Sequence, residues 1–279
     1  MGSIIESVSY GYTDSGWADL LTNYDDQPIF YDAIGNPTEF ADWYLDWQGR
    51  ELIYLYDSYS DFDLSFAYNA DGIRTIKNYL DLADGSSTFR HEYILNGSQI
   101  ITEIVYEDDT EAYMLVYLYD ENGSPIGFRY RTPSYAEGVF DGYFYEKNIQ
   151  GDIIGIWNQN GTKLAAYTYD AWGKVTVTYC NGGASTAARY NPFTYRGYYY
   201  DSETGLYYLQ SRYYNPEWGR FLNADAYINA NGDLIGFNMF AYCSNNPVMG
   251  CDPCGQSLND WRDNLTESFE EWAEKIPKQ

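Results

Sequence analysis

The sequence predicts an all-β protein built from antiparallel hairpins that form a curled sheet. Two observations support this: tyrosine (33 residues) and glycine (25 residues) are unusually abundant in the 279-residue chain, and a strand-and-turn pattern recurs along it. Tyrosine favours the half-buried surface of a strand, and glycine supplies the positive φ of tight turns. Leucine-rich helical heptads are missing, so little helix is expected.

The repeats are clearest in the middle of the chain, where residues 117–123 and 167–173 share the form Tyr-x-Tyr-Asp-x-x-Gly. The two tyrosines lie on one face of a strand because side chains alternate. The aspartate can hydrogen-bond the backbone where the strand ends, and the glycine permits the turn. Residues 31–35 and 68–72 are looser versions. A single hairpin cannot bury its own face, so the hairpins are expected to pack side by side in one coiling sheet.

Residues 1–139 are predicted to contain divergent repeats of the same kind, with an acidic loop at Glu107–Asp109 between two apolar strands. Open strand edges on this N-terminal side would favour association. No Pro/Ser-rich linker divides the chain before residue 180, which indicates one continuous domain. Residues 181–186 are predicted to interrupt it as a flexible loop.

Residues 140–256 carry a denser pattern of tyrosines, glycines and turn residues. Its fixed positions are Tyr195, Arg196, Gly197, Asp201, Gly205, Leu206, Tyr207, Arg212, Tyr213, Gly219, Arg220, Phe221, Asn245, Asn246, Pro247, Asp252, Pro253 and Gly255. This segment resembles the RHS repeat-associated core, which closes the bacterial Rhs and YD-repeat polymorphic toxins. The resemblance implies a partial Rhs-type β-shell, in which the sheet winds into a hollow wall and the core segment plugs its end by curling inward.

A different pattern follows the core in residues 257–279. Apolar residues recur at every third or fourth position from Leu258 to Ile276, with acidic residues between them, and Pro277 comes next. This predicts a short amphipathic helix, expected to dock on the sheet as a lid rather than to bind a partner. In the resembled family the segment after the core is the variable effector, but this tail is too short to fold as one.

The chain is strongly acidic, with a net charge of −25 and only 16 lysines and arginines. This argues against nucleic acid or an anionic membrane as a partner. Acidity is interpreted as keeping a tyrosine-rich surface soluble. No apolar run is long enough to span a membrane, and residues 1–6 lack the features of a signal peptide. The resemblance implies a secreted or cell-surface protein of a bacterium, exported by other means.

The spacing of the four cysteines does not predict a metal site or a redox pair. Cys251 and Cys254 have C-x-x-C spacing and could bind a metal together with Cys243, or form a redox pair. However, the residues between them belong to the core motif, and no fourth ligand is apparent. All four cysteines, including Cys180, are interpreted as small buried residues. No metal or cofactor is predicted.

Catalytic residues are scarce. His91 is the only histidine and has no nucleophile at a recognisable spacing, so it is interpreted as structural. The resemblance suggests one activity, because some relatives release their C-terminal cargo by aspartyl-type self-cleavage, which needs two carboxylates that share a proton. Arg220 and Asp225 match that region and are the candidates. Asn215 stands where cleaving relatives have aspartate, and Gln256 replaces a leucine. The chain is therefore expected not to be an enzyme, although another aspartate could substitute.

Two functions remain open. The favoured one is a non-catalytic C-terminal core of an Rhs/YD-repeat protein, which forms or closes a β-shell that encapsulates or presents an effector in contact-dependent competition. Its partners would be upstream YD-repeat segments, a C-terminal effector and an immunity protein. The alternative is a cell-surface adhesion or carbohydrate-binding module that uses exposed aromatic residues. Aromatic side chains packed inside favour the shell, whereas an open aromatic groove with polar groups favours binding.

Overall fold

The computed structural model describes residues 7–83, 88–226 and 238–256, together with the backbone of residues 259–260. Its main element is a 16-stranded sheet in which every strand pairs with the next along the chain. The pairings are antiparallel, which confirms the predicted all-β, hairpin-built class. The strands are β1 (Tyr10–Gly11), β2 (Asn23–Tyr24), β3 (Gln27–Tyr31), β4 (Pro37–Phe40), β5 (Trp43–Gln48), β6 (Glu51–Asp57), β7 (Phe62–Tyr68), β8 (Arg74–Asp81), β9 (Thr88–Asn96), β10 (Gln99–Glu107), β11 (Thr110–Tyr119), β12 (Pro125–Arg131), β13 (Asp141–Lys147), β14 (Ile153–Asn158), β15 (Lys163–Tyr169) and β16 (Val175–Tyr179).

The turns form as the repeat pattern predicts. In the turn after β11, Asp120 Oδ1 accepts hydrogen bonds from the N–H groups of Asn122 (3.0 Å) and Ser124 (2.8 Å). Gly123 follows with φ +77°, a conformation that glycine adopts without strain. The turn after β15 repeats this arrangement around Asp170. The aspartate therefore ends each strand by satisfying the backbone of the next turn.

The tyrosine before each turn residue links neighbouring strands. Its hydroxyl donates to a main-chain carbonyl at the start of the preceding strand: Tyr68 to Leu52 (2.8 Å) and Tyr119 to Ile100 (2.6 Å). Many pairings also contain a register shift close to the turn, as between Leu118 and Tyr119. Such bulges increase the twist of a sheet and bend it. The tyrosine hydroxyl of the repeat thus links adjacent strands by a hydrogen bond, and the bulge beside it helps to curl the sheet.

Residues 187–226 and 238–256 form what we call the closing segment. It contains a second antiparallel sheet of four strands, β17 (Tyr199–Asp201), β18 (Leu206–Tyr208), β19 (Tyr213–Asn215) and β20 (Arg220–Phe221). Strand β21 (Gly250–Cys251) pairs with β22 (Asn259–Asp260). Short 3₁₀ turns lie at Gly183–Ser185, Ala187–Tyr190, Tyr195–Gly197 and Cys243–Asn245. No helix in the described part of the chain is both long enough and apolar enough to cross a membrane.

The closing segment crosses one face of the large sheet in reverse strand order. Its successive aromatic rings meet progressively earlier strands, with the following centroid separations: Tyr190 on Tyr113 of β11 (4.2 Å), Tyr199 on Tyr93 of β9 (5.6 Å), Tyr213 on Phe66 of β7 (5.9 Å) and Trp218 on Phe40 of β4 (4.8 Å). Most of the buried apolar residues form one cluster shared by the sheet and this segment. Neither layer therefore has a complete core without the other.

Both ends of the large sheet meet the same part of the closing segment. Trp218 packs on Phe40 from the start of the sheet, while Glu217 forms an ion pair with Lys174, just before β16 (2.6 Å). A side chain at Gly219 would lie 3.0 Å from the Trp172 ring. The sheet consequently curves around the closing segment. Strands β1 and β16 remain its two edges, so it is curled but not closed.

Three local predictions can be compared with the structure. Residues 181–186, predicted to form a flexible loop, lie outside both sheets and contain the 3₁₀ turn Gly183–Ser185. Gly183 anchors this stretch, because it is buried and an added Cβ would lie 1.9 Å from the Leu164 carbonyl oxygen. The amphipathic helix predicted for residues 257–279 lies outside the described residues, apart from Asn259–Asp260. These two are extended and pair with β21, so a helix cannot include them. The predicted boundary at residue 139 falls in the loop between β12 and β13, which pair with each other.

Candidate functional site

A buried charge network joins the large sheet to the closing segment. Arg74, at the start of β8, is fully buried and forms a two-pronged ion pair with Asp201 of β17: Nη1 to Oδ2 is 2.7 Å and Nη2 to Oδ1 is 3.0 Å. Lys77 Nζ lies 3.0 Å from the same carboxylate and 2.9 Å from Glu203 Oε1. Since the cations come from the sheet and the anions from the closing segment, this network acts as a latch.

Aromatic rings enclose the Arg74 guanidinium. Five ring centroids lie 4.3–5.9 Å from its Cζ, with Tyr208 nearest. The Tyr208 hydroxyl also accepts a hydrogen bond from the Arg74 main-chain N–H (2.8 Å). Cation–π contacts of this kind strengthen when water is excluded. The rings belong to Phe66, Tyr93, Tyr199, Tyr208 and Tyr213, so strands from both layers build the cage.

A second buried carboxylate lies beside the latch. Glu103 Oε1 accepts a hydrogen bond from the Tyr199 hydroxyl (2.9 Å) and lies 2.5 Å from His91 Nδ1, while Oε2 accepts one from the Tyr117 hydroxyl. Tyr199 brings the closing segment into this group as well. The chain's single histidine therefore takes part in the packing of the interface, where its ring nitrogen meets a carboxylate.

The pKa values of the two buried carboxylates, Asp201 and Glu103, are both lowered by their neighbours. Burial alone would raise the pKa of Asp201, but Arg74 and Lys77 outweigh it and lower that pKa from 3.8 to about 2. For Glu103, burial is likewise opposed by the hydrogen bonds from His91 and Tyr117, and the net effect lowers its pKa. Both carboxylates thus stay ionised in the folded protein across the neutral range.

This shift predicts a specific acid dependence of stability. A carboxylate whose pKa is lower in the folded state stabilises the fold above its unfolded-state pKa, and this contribution is lost as pH falls towards the folded-state value. Asp201 should therefore contribute about 2 kcal/mol at neutral pH, lost between roughly pH 4 and pH 2. Urea unfolding between pH 7 and pH 2 measures it. Asp201→Asn should flatten this part of the profile, whereas Asp46→Asn, which removes an exposed carboxylate, should not. A profile unchanged by Asp201→Asn would contradict the assignment.

A second cluster lies at the end of the closing segment, around Arg212. Its Nη2 is 3.0 Å from Asp225 Oδ2 and 3.5 Å from Asp252 Oδ2, and its Nε donates to the Gly255 carbonyl oxygen. The Gln256 N–H donates to Asp252 Oδ1 (3.0 Å). A cleft of about 380 Å³ opens here, with Arg50 and Gln210 on its wall. Two carboxylates and one guanidinium therefore surround the peptide that follows Gly255.

The structure separates the two residues that the sequence suggested as self-cleavage candidates. Asp225 belongs to the Arg212 cluster, but Arg220 points elsewhere, with its Nη1 donating to the Asp19 carbonyl oxygen (3.2 Å). Asn215, at the position where cleaving relatives have aspartate, accepts the N–H groups of residues 217 and 218 with Oδ1 and so caps a turn. The sequence pattern marks Arg212 only as a member of the core motif. Its partners are too far away in sequence for local spacing to reveal them.

Other core-motif residues fasten the closing segment to the end of the large sheet. The Tyr207 hydroxyl donates to the Gly173 carbonyl oxygen (2.8 Å), in the turn after β15. Arg196 donates through Nη1 to the Gln150 carbonyl oxygen (3.0 Å) and through Nη2 to that of Pro247 (2.6 Å). The motif therefore marks contacts between layers of the fold.

The cysteines differ in their surroundings. None of the four, all of which lie in the described part, forms a disulfide; Cys243 is buried, whereas Cys180, Cys251 and Cys254 are partly exposed. Burial raises the pKa of Cys243 to about 12, which disfavours the thiolate. Within the described ranges, no group of three or more histidine, cysteine, aspartate or glutamate side chains is placed to hold a metal ion.

The sequence of this chain is similar to those of several known proteins. The family model Teneurin YD-shell matches residues 141–248. The tRNA nuclease WapA of Bacillus subtilis (strain 168) is 36% identical over 239 residues, which cover 84% of this chain and 9% of that protein. The double-stranded DNA deaminase toxin A of Burkholderia cenocepacia (strain H111) is 28% identical over 264 residues, covering 88% of this chain and 18% of the toxin. The chain thus spans about a tenth of the length of the WapA proteins that it matches.

Solved structures share the fold. The Tc holotoxin pore of Photorhabdus luminescens superimposes with a TM-score of 0.67 at 22% identity, over 82% of this chain and 11% of the compared chain. The crystal structure of TcdB2-TccC3 gives the same TM-score at 23% identity, over 81% of this chain and 11% of the other. At this level of identity the likeness concerns the fold alone.

Proposed function

The chain belongs to the RHS/YD-repeat proteins as a WapA-like member with an Rhs-type shell domain, and from this premise we propose that it closes a β-shell. In this proposal the shell encapsulates or presents an effector in contact-dependent competition, and the chain itself catalyses no reaction. Upstream YD-repeat segments, a C-terminal effector and an immunity protein are the proposed partners. The proposed location is secreted or at the bacterial cell surface.

One observation carries the proposal: the closing segment lies within the curve of the large sheet and is fixed there by buried charge. Arg74 and Lys77 come from the sheet, and Asp201 comes from the segment. In this proposal β8 belongs to the wall of the shell and β17 to the plug. An ion pair between them suits a container whose end must stay closed. Breaking a buried ion pair is costly, which makes such a latch durable.

The direction of the aromatic side chains supports the shell over the adhesion module. Tyrosines of the closing segment, such as Tyr199, Tyr207 and Tyr214, are buried between the layers. Their hydroxyls are occupied by other groups of the fold; Tyr214, for example, donates to the Trp172 carbonyl oxygen. Rings committed to the interior are not available to stack on a ligand.

The activities in the relatives' names belong to those proteins. WapA of Bacillus subtilis is named a tRNA nuclease, yet the matched region is 9% of its length. The Burkholderia cenocepacia toxin is named a deaminase, and 18% of it is matched. Two relatives with different activities thus resemble the same chain, which supports assigning it to a shared shell rather than to either chemistry.

We predict that the purified chain keeps its full mass when incubated from mildly acidic to neutral pH. Arg212 already pairs with both Asp225 and Asp252, and Asn215 supplies an amide that cannot share a proton. Intact-mass spectrometry over time checks this, with Asp225→Asn as the comparison. Accumulation of a fragment ending near Gln256, abolished by Asp225→Asn, would show that the chain does cleave itself.

Encapsulation is tested by purifying the protein from its natural host under native conditions and digesting it with a broad protease. We expect additional polypeptide, covalently attached or bound, to survive digestion while the native fold lasts and to be degraded once urea opens it. Mass spectrometry identifies the protected peptides. If no further polypeptide accompanies the chain, or if it is digested equally fast without urea, the encapsulation proposal fails.

A further inference from the structure

Strand β16 is an open edge of the large sheet. It pairs with β15 on one side, and none of the described residues adds a strand on its other side. The other free edge, β1, is two residues long, whereas β16 has five residues and none of them is charged. Four of the five are exposed, from Thr176 to Tyr179. A free edge of this kind can pair with a further strand.

The direction of the main-chain groups of β16 follows from its pairing with β15. The Cys180 N–H donates to the Leu164 carbonyl oxygen (2.9 Å), and the Lys174 carbonyl oxygen accepts the Asp170 N–H (3.2 Å). The register stays constant between these two bonds. Main-chain groups alternate in direction along a strand, so those of the even-numbered residues point to β15. The N–H and C=O groups of the odd-numbered residues therefore point to the open edge.

The side chains of the odd-numbered residues form an apolar stripe. They lie on the face covered by the closing segment, because Val177 pairs with Tyr167, whose ring is buried there. The closing segment leaves the edge itself uncovered, so Val177 is 41% and Tyr179 is 38% exposed. Val175 and Phe40 line a recess of about 350 Å³ beside it. The edge thus offers hydrogen-bonding groups together with uncovered apolar surface.

We propose that β16 pairs antiparallel with β16 of a second copy of this chain. The register is centred on Val177, which lies opposite the same residue of the other copy, while Val175 lies opposite Tyr179. Each residue whose main-chain groups point to the open edge then meets another of the same kind, as an antiparallel ladder requires. A tyrosine opposite a valine is a favourable cross-strand pair. The Tyr179 ring of each copy also comes to the recess beside Val175 of the other.

A second copy suits this edge because the edge is complementary to itself. The sequence Val-Thr-Val-Thr-Tyr alternates in the same way in both directions, so it matches itself across a twofold axis. Each copy carries a net charge of −25, which opposes association at long range, but β16 adds no charge to the contact. A five-residue ladder is small beside the interfaces of stable complexes. The dimer is therefore weak and reversible, and it strengthens as salt screens the repulsion.

Sedimentation velocity of the full chain, from low to high micromolar concentration, tests the proposal. We expect a monomer–dimer equilibrium that tightens at higher salt. Val177→Lys places like charges directly opposite each other and removes the valine packing, so it should weaken the dimer roughly tenfold, as should Val177→Glu. An equimolar mixture of the two variants should restore dimerisation. The control is Ile94→Lys, which makes the same charge change at an exposed position of β9, a strand paired on both sides, and should leave the equilibrium unchanged.

Amide hydrogen exchange measured by NMR identifies the surface that pairs. Dimerisation should protect the amides of Val175, Val177 and Tyr179, whereas those of Thr176 and Thr178, which point to β15, should change little. A chain that stays monomeric at every concentration and salt, or a dimer that leaves these three amides unprotected, would overturn the proposal. So would a mixture of the two Val177 variants that does not dimerise although thermal melting shows both to be folded.

Discussion

Replacing Arg74 by alanine is expected to destabilise the fold by about 3–5 kcal/mol, the usual cost of leaving a buried charge without its partner. The substitution strands the buried Asp201 carboxylate with Lys77 alone and opens a cavity inside the aromatic cage. Equilibrium unfolding in urea at pH 7 measures the loss. The melting temperature should fall with it.

Two comparisons separate the causes of this loss. Arg74→Met keeps much of the volume and removes the charge, so the part of the effect that persists in it belongs to the ion pair. Arg129→Ala deletes an exposed arginine and should stay within about 0.5 kcal/mol of the native chain. An Arg74→Ala protein as stable as Arg129→Ala would mean that the latch does not hold the layers together.

Trp218→Ala is expected to cost about 3–5 kcal/mol, the range for truncating a buried tryptophan. Trp218 is 4% exposed, its ring meets Phe40 edge-on at 4.8 Å, and Tyr24 lies 6.0 Å away. Because these partners come from the start of the sheet, the variant should also loosen β2 to β4. Urea unfolding and hydrogen exchange measure the two effects.

The control for Trp218 is Tyr59→Ala, since Tyr59 is the most exposed large aromatic of the described residues, at 84%. It should change stability by no more than about 0.5 kcal/mol. Faster hydrogen exchange in β2–β4 with unchanged hydrogen exchange in β8–β10 would locate the damage where the first strands of the large sheet meet the closing segment. Equally accelerated hydrogen exchange in all strands would instead mean that Trp218 supports the whole core rather than this contact.

The turn chemistry of the repeats could be predicted from the sequence because it is local. Asp120 and Gly123 act within one turn, so their spacing alone indicates their roles. The Tyr119 hydroxyl bond to Ile100 spans two neighbouring strands. It explains why tyrosine rather than phenylalanine precedes the turn, a preference that strand propensity does not account for.

The latch could not be predicted, because its partners meet only through the tertiary fold. Arg74 and Lys77 are separated by an odd number of positions, so a regular strand would place them on opposite faces. The pairing of β7 with β8 shifts its register between Ala67 and Tyr68, and Tyr68 pairs with Arg74. Because of this shift, the side chains of Arg74 and Lys77 are both buried. Alternation of apolar and polar residues carries no sign of such a bulge.

The Arg212 cluster shows the same limit. Sequence resemblance selected Asp225, which does lie in a cluster of charges, but paired it with Arg220, its neighbour along the chain. The structure pairs it with Arg212, which lies between β18 and β19, while Arg220 donates to the Asp19 carbonyl oxygen. Proximity in sequence was misleading because Arg220 lies in β20, whereas Asp225 lies in the stretch of chain that follows β20.

Hydrogen exchange of the closing-segment amides tests most directly whether this segment is a firmly held plug inside the curled sheet. If it is, the amides of Tyr199–Asp201 and Leu206–Tyr208 exchange as slowly as those of β8 and β10, and Arg74→Ala accelerates both sets together. If the closing-segment amides exchange rapidly while β8 and β10 stay protected, the segment is a loosely attached appendage and the proposed closure of the shell is wrong.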